Sequence, residues 1–430
     1  MKNLLKSLKG YHFLTLFFLG LVLVLTSCSS GDYQGQLLGK LDRPKWRNIN
    51  PYGMVYIPSG FLHVGPSDED INRALTSRAK SVSIQGFYMD DTEITNNEYR
   101  QFVDWTMDSI AHRMLGAEHL MNEGEENERI DWSSPIYWDD PEVHELLSSL
   151  YYPKNESLWG ANEINPDKVI YQWVWYDWDE AAKRTNGGKS RTSFRHTEPI
   201  KVYPDTLCWI RDFSYSYNEP MARNYFWHPA FDDYPVVGVG WKQANSFAKW
   251  RSDFWNSYKR ESGETMYEDY RLPIENEWEY AARGGLEESP YPWGGPYVRN
   301  RKGCILANFK PGRGNYPEDG GFYTVRADAY NPNDYGLYNM AGNVAEWTSS
   351  AFEENGYKFG HDLNPNVRYD AKDDDPETMK RKVIRGGSWK DIGYFIQTGT
   401  RNYEYQDSTK SYVGFRCLLT FLGRSKGDFE

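Results

Sequence analysis

Cys28, Cys208, Cys304 and Cys417 are the four thiols of a 430-residue chain. Thiolates are the side chains best suited to nucleophilic attack, disulfide exchange or holding a soft metal. Their spacing serves none of these locally, because no two fall within a short metal-binding interval, and four are too few for a disulfide scaffold or a zinc-ribbon array. Histidine offers one other pattern. His112 and His119 lie seven positions apart, where they could share a helix face, with His144 in the same stretch; a pair of this kind is more often solvated than metal-bound. Glu142-Val143-His144-Glu145 is not the two-histidine arrangement of a zinc protease. Neither a Gly-x-Ser-x-Gly elbow nor a phosphate-binding glycine loop occurs.

Cys28 has a clear chemical fate. Lys2, Lys6 and Lys9 precede an apolar run from Phe13 to Leu25 that ends in Leu25-Thr26-Ser27-Cys28. The run is short for a bilayer span, and small residues before a cysteine resemble the cleavage box of a bacterial lipoprotein. Residues 1–27 are therefore expected to be a signal peptide and Cys28 the lipid-attachment residue. Ser29 rather than Asp follows it, which by bacterial sorting rules favours the outer membrane, and the absence of an acidic run over Ser29–Gln34 favours its periplasmic face. Removing residues 1–27 leaves 46 basic against 61 acidic residues, a net charge of −15 compared with −12 for the whole chain. Attachment then comes from acyl chains and not from charge, and an acidic chain of this kind is a poor partner for nucleic acid.

The rest of the chain must position whatever chemistry remains. Residues 28–50 read as a lipidated N-terminus and tether without a sustained period. The spacing predicts strands at Met54–Pro58 and Gly60–Gly65 and a third over Val82–Met89. It predicts a helix from Thr95 to Ile110, with Thr95 as N-cap and Glu98 completing a capping box. Further helices are expected at Trp241–Trp255 and at Ile274–Arg283, the latter stopped by Gly284-Gly285. No repeat of fixed period is present. The organisation expected is one α+β domain over 51–422, with excursions at about 106–234 and 351–382 and a polar tail at 423–430.

Several blocks, taken in order, resemble the formylglycine-generating enzyme family, also called the sulfatase-modifying-factor domain. They are Met54-Val55-Tyr56-Ile57-Pro58-Ser59-Gly60-Phe61, Phe87-Tyr88-Met89-Asp90-Asp91-Thr92-Glu93-Ile94-Thr95-Asn96 and Tyr234-Pro235-Val236-Val237-Gly238-Val239-Gly240-Trp241. After Arg271-Leu272-Pro273-Ile274-Glu275-Asn276-Glu277-Trp278 come Asn339-Met340-Ala341-Gly342-Asn343-Val344-Ala345-Glu346-Trp347, Arg385-Gly386-Gly387-Ser388-Trp389 and Gly414-Phe415-Arg416-Cys417. The resemblance implies a single domain related to C-type lectins, with much irregular structure.

Members of that family that oxidise a cysteine to formylglycine use two cysteines, after the Arg-Gly-Gly-Ser-Trp block, to hold copper. Here Lys390-Asp391-Ile392-Gly393-Tyr394-Phe395-Ile396-Gln397 fills that interval, and no cysteine occurs from Lys390 to Arg416. The expectation is a protein without catalytic residues and without copper. The resemblance also implies two candidate structural calcium sites: Asn308, Phe309, Asp319 and Gly321, and Asn339, Gly342, Val344 and Glu346. Both are hard-oxygen sets of carboxylates, amides and backbone carbonyls.

Tyr225-Phe226-Trp227-His228-Pro229-Ala230-Phe231-Asp232-Asp233-Tyr234 and the stretch from Lys390-Asp391-Ile392-Gly393 to Asp407 go beyond the general pattern. They resemble the gliding-motility lipoprotein family GldK, called PorK in non-gliding relatives, of the Bacteroidetes type IX secretion system. GldJ, a neighbouring gliding lipoprotein, shares the domain and stays open as an alternative. The resemblance implies a ring component that associates with a GldN/PorN-like periplasmic protein, with other secretion components and with copies of itself. Tryptophans and tyrosines crowd residues 132–178, a composition that suits an interface and a local core equally, with a lectin-like carbohydrate surface as the rival function.

Overall fold

Alternation of buried and exposed residues along Gly60-Phe61-Leu62-His63-Val64 sends Leu62 and Val64 inward and Phe61 and His63 out, as a strand with one covered face requires. The computed structural model describes residues 50–64, 79–116, 118–125, 128–157, 160–312 and 314–423. The expected signal peptide, Cys28, the tether as far as residue 49 and the tail from residue 424 lie outside the described residues. In chain order the strands that matter are β1 Met54–Ile57, β2 Gly60–Val64, β3 Lys80–Ile84, β4 Phe87–Asp90, β5 Ile170–Tyr176, β6 Arg195–Lys201, β7 Ala345–Ala351, β8 Arg381–Arg385, β9 Asn402–Tyr405, β10 Val413–Gly414 and β11 Leu418–Thr420. Helix α1 is Asn96–Leu115, α2 is Trp241–Glu261 and α3 is Glu275–Arg283.

Strands β1, β4 and β11 form an antiparallel sheet in that order, and β9, β8, β7 and β10 form a second, in which only β7 and β10 run parallel. The first and last strands of the domain thus meet on either side of β4, which closes the unit over itself. The expected third strand over 82–89 is in fact two. Its first half, β3, pairs with β2 and its second half, β4, with β1. The break falls at Gly86, where an added Cβ would sit 3.3 Å from Ser59 N and 3.4 Å from Ile57 O. The chain passes close to the end of β1 there, and the alternation of β3 stops with it, since all four residues of β4 are buried.

The capping box closes α1 as expected: Glu98 N donates to Thr95 Oγ1 at 3.3 Å and Thr95 N to Glu98 Oε2 at 2.8 Å. Such a cap stabilises by about 1 kcal/mol. The helix runs to Leu115, a turn beyond the expected end at Ile110. It turns Tyr99, Phe102 and Val103 into the largest core, where Tyr99 stacks on Phe247 of α2 at 5.6 Å and meets Phe415 edge-on. Helix α2 also outruns its expected end, as Lys259 lies over Trp255 and pairs with Glu264 at 2.6 Å. At α3, Glu277 accepts from Ile274 N and forks with Arg271, and Gly284 ends the helix with φ +61.

The excursion at 106–234 is anchored by the β5–β6 hairpin. Its aromatics divide between the two plain readings: Tyr171 and Trp173 pack on the core, whereas Tyr137 and Trp178 stay exposed. Among the described residues no helix is long and apolar enough to cross a membrane.

Candidate functional site

Arg385 ends β8 and leads into Gly386 and Gly387, both with positive φ. A Cβ on Gly387 would lie 2.6 Å from Phe395 O, so only glycine lets the 386–396 loop fold back on itself. Within that loop Ser388 gives Asp391 two hydrogen bonds, from its N at 2.9 Å and from its Oγ at 2.7 Å. Burial pushes the Asp391 carboxyl above its usual range, against the pull of these Ser388 donors. Lys390 lies over the rings of Tyr412 and Phe213 at 4.6 and 5.4 Å. The loop therefore presents an amine and an acid beside a cavity, where the sequence resemblance would put a pair of thiols.

The thiols lie elsewhere. Cys208 and Cys417 are buried, Cys304 is exposed, and all three are free. Burial drives the Cys417 thiol far up, with Asp90 adding to the rise against Arg251, and burial does the same to Cys208. Thiols held protonated in this way are poor nucleophiles and poor metal ligands.

A second polar centre sits at the junction of the blocks. Arg416 donates from Nε to Glu346 Oε2 at 2.7 Å and from Nη2 to Oε1 at 2.6 Å, and Trp278 Nε1 donates to Oε2 at 2.7 Å. Glu93 lies beside this pair and accepts from Asn339 Nδ2 at 3.1 Å and Asn343 Nδ2 at 3.0 Å. Burial pushes the Glu93 carboxyl up; Arg416 pulls it down and Glu346 pushes it up again. Asn339 and Asn343 both take left-handed backbone, φ 52 and 61, which asparagine tolerates better than other side chains.

These contacts bear on the two expected calcium sets. In the second set the charged member, Glu346, is already held by Arg416 and Trp278, and the acid facing Asn339 is Glu93. As arranged, that set does not fit a calcium ion unless Glu346 leaves its guanidinium. Gly342 is pressed on the first set, since a Cβ there would lie 2.3 Å from Asn308 O. In the first set, Asn308 Oδ1 lies 2.7 Å from the position of a Cβ on Gly321, so these two are brought together. Asn308 Nδ2 donates to Tyr323 O at 2.8 Å. The side chain of Asp319 lies outside the described residues.

Sequence reasoning missed Glu93 and Asn343 and gave Arg385 and Arg416 no role. The available signal was charge within otherwise apolar or glycine-rich blocks. The spacing also allowed His112 and His119 to share a helix face. Instead α1 ends between them at Gly116, and the chain turns back so that the two Nδ1 atoms stand 3.0 Å apart. His144 is not part of that pair but stacks on Tyr151 at 4.2 Å. Among the described residues no three histidine, cysteine, aspartate or glutamate side chains gather as a metal site.

A buried ionic lattice, ordered glycine turns and short strands around two long helices define a sulfatase-modifying-factor domain. The family model for the sulfatase-modifying factor enzyme 1-like domain matches residues 42–421, and the chain belongs to that family. Formylglycine-generating enzyme of Mus musculus is 27% identical over 375 residues, 86% of this chain and 75% of that protein. Inactive C-alpha-formylglycine-generating enzyme 2 of Bos taurus is 34% identical over 202 residues, 46% of this chain and 53% of that one. The family thus holds members named as enzymes and members named as inactive. The solved structure of PvdO from Pseudomonas aeruginosa shares 17% identity at a TM-score of 0.45, covering 86% of this chain and 94% of that one.

Proposed function

We propose that the chain is a non-catalytic scaffold, lipid-anchored through Cys28 on the periplasmic face of the outer membrane. It would serve as a ring component of type IX secretion and gliding machinery of the GldK/PorK kind. The observation that carries the non-catalytic part is the loop from Lys390 to Gln397, which holds Lys390 and Asp391 and no thiol. The buried, protonated Cys208 and Cys417 support it, and a family that includes a member named inactive is consistent with it. A GldN/PorN-like partner and self-association follow from the sequence blocks at 225–234 and 390–407. The exposed aromatics of the 106–234 excursion, among them Tyr137, Trp178, Tyr215 and Tyr217, are the working residues of this reading. Structural calcium is assigned to the first set, around Asn308 and Gly321.

One observation favours a second reading, a lectin-like carbohydrate-binding lipoprotein. Trp178 is exposed, stacks on Tyr176 at 5.4 Å and has Arg191 over its ring, an arrangement on which a sugar face could stack. GldJ-like function is the nearer alternative within the same machinery. Two assays address the proposal. Cys28→Ser should release the protein from membranes, and the purified wild type should consume no oxygen with copper and a thiol peptide. Copper-dependent oxygen uptake would overturn the non-catalytic reading.

A further inference from the structure

Strands β5 and β6 pair from Ile170 with Lys201 to Tyr176 with Arg195, and the chain between them forms the end of the hairpin. Trp178–Ala182 makes a short helical turn with Asp177 as its N-cap. The buried Asn186 holds the return, donating from Nδ2 to Glu180 O at 2.8 Å. From residue 183 to residue 195 the return carries Lys183, Arg184, Lys189, Arg191 and Arg195 and no acid, and all five cations are exposed.

The acids of this hairpin end are already engaged. Asp177 caps the turn by accepting from Glu180 N at 2.8 Å, Glu180 takes Lys183, and Asp179 lies 3.7 Å from Arg368. Arg184, Lys189, Arg191 and Arg195 make no ion pair among the described residues, in a chain with 61 acidic against 49 basic side chains. An aromatic step stands beside these four. Trp178 is exposed and stacks on Tyr176, and Arg191 lies over the two rings at 5.5 and 4.8 Å. Exposed tryptophan beside unpaired lysine and arginine suits the headgroup level of a bilayer, where the ring favours the interface and the cations reach lipid phosphates.

We propose that this end of the β5–β6 hairpin docks on an anionic phospholipid surface, with Arg184, Lys189, Arg191 and Arg195 at the phosphates and Trp178 among the headgroups. The chain as a whole carries −12 and is repelled by such a surface, so this local attraction orients the domain and does not by itself hold it. The inference rests on the reading that Cys28 anchors the chain in a membrane, and adds which part of the domain turns toward the lipid. A neutral glycan would use Trp178 and leave the four cations idle.

The test measures binding of the purified full chain to phosphatidylcholine vesicles with and without phosphatidylglycerol, by flotation. Apolar insertion is common to both vesicle types, so the difference between them reads the hairpin, whereas release of Cys28→Ser from native membranes reads the anchor. The anionic vesicles should bind tighter by about tenfold or more, and added salt should erase the preference. Arg184→Glu with Lys189→Glu and Arg191→Glu should also erase it, with a melting temperature near that of the wild type, because none of the three has an ion pair to lose. Arg301→Glu with Lys302→Glu, an exposed cation pair elsewhere, should leave it unchanged. Trp178→Ala should weaken binding to both vesicle types. Equal binding to the two vesicle types, a preference that survives the triple variant, an equal loss in the Arg301 and Lys302 control, binding indifferent to Trp178→Ala, or displacement by inorganic phosphate beyond that by chloride at equal ionic strength would each overturn the assignment.

Discussion

Arg416 forks onto Glu346 with both side chains fully shut from solvent, and a second acid, Glu93, stands beside them. Glu346 takes the guanidinium directly and Glu93 feels it at longer range, at the meeting point of the chain's opening block, its Asn-Met-Ala-Gly-Asn loop and its closing strand. Arg416 also donates to Asp90 O at 3.1 Å and Tyr338 O at 2.9 Å, so it ties those segments together directly.

Removing that guanidinium should therefore be costly. Arg416→Met leaves Glu346 buried without its cation and is expected to lower unfolding free energy in urea by about 3–5 kcal/mol. Adding Glu346→Gln should recover part of the loss, because one uncompensated charge is then gone. A loss below ~1 kcal/mol would put this pair in the class that solvent screens.

Lys382 is the converse case, an amine whose side chain is fully buried beside a half-exposed acid. Its Nζ donates to Tyr369 O at 2.6 Å, lies 3.8 Å from the Trp241 ring centroid and has Asp370 at 3.5 Å. Burial pulls its pKa down to about 8, against the pull of Asp370. The unfolded chain binds this proton up to a higher pH than the folded one, so the stability tied to the neutral amine is complete above the unfolded value and is lost as pH falls through about 8. Relative to Lys382→Met, the wild type should gain on the order of 2 kcal/mol between about pH 7 and about pH 9.5. A pH-independent difference would refute the assignment.

The His112–His119 contact calls for one ring to donate and the other to accept, so it fails when both are protonated. Burial, then His119, holds the His112 pKa below its ordinary value, with Asp131 opposing. The folded state consequently binds fewer protons than the unfolded one just below the ordinary histidine range, and stability falls as the pH drops through it. Melting temperatures from about pH 7.5 to about pH 5.5 should fall more steeply for the wild type than for His119→Gln. Parallel curves would show that the pair carries no such linkage.

Calcium is expected to act at Asn308. Excess calcium is expected to raise the melting temperature by a few degrees after chelation, in line with ligand-linked stability, and Asn308→Ala should abolish the rise. A rise that survives Asn308→Ala and vanishes in Glu346→Gln would move the ion to the second set.

Local signals carried much of this fold into the sequence. Thr95 and Glu98 announce the start of α1 because a cap is made within four residues, and Gly284 announces the end of α3 for the same reason. The split at Gly86 is marked locally only by the glycine and by the end of alternation at Phe87-Tyr88-Met89, and the change of pairing partner is not local at all. The charged centre was hidden more deeply. Glu93, Arg385 and Arg416 sit in blocks where a charge reads as surface, and only contacts across hundreds of positions, such as Arg416 with Asp90, put them inside. Likewise nothing local tells that the chain turns at Gly116 to bring His119 back to His112.

The scaffold reading is tested most directly by capture from native outer membranes. Affinity purification of the tagged full-length protein after mild crosslinking should return a GldN/PorN-like ring protein and copies of the chain itself, with crosslinks concentrated in the 106–234 excursion. Recovery of glycan with no secretion component would contradict the account and favour the carbohydrate-binding alternative.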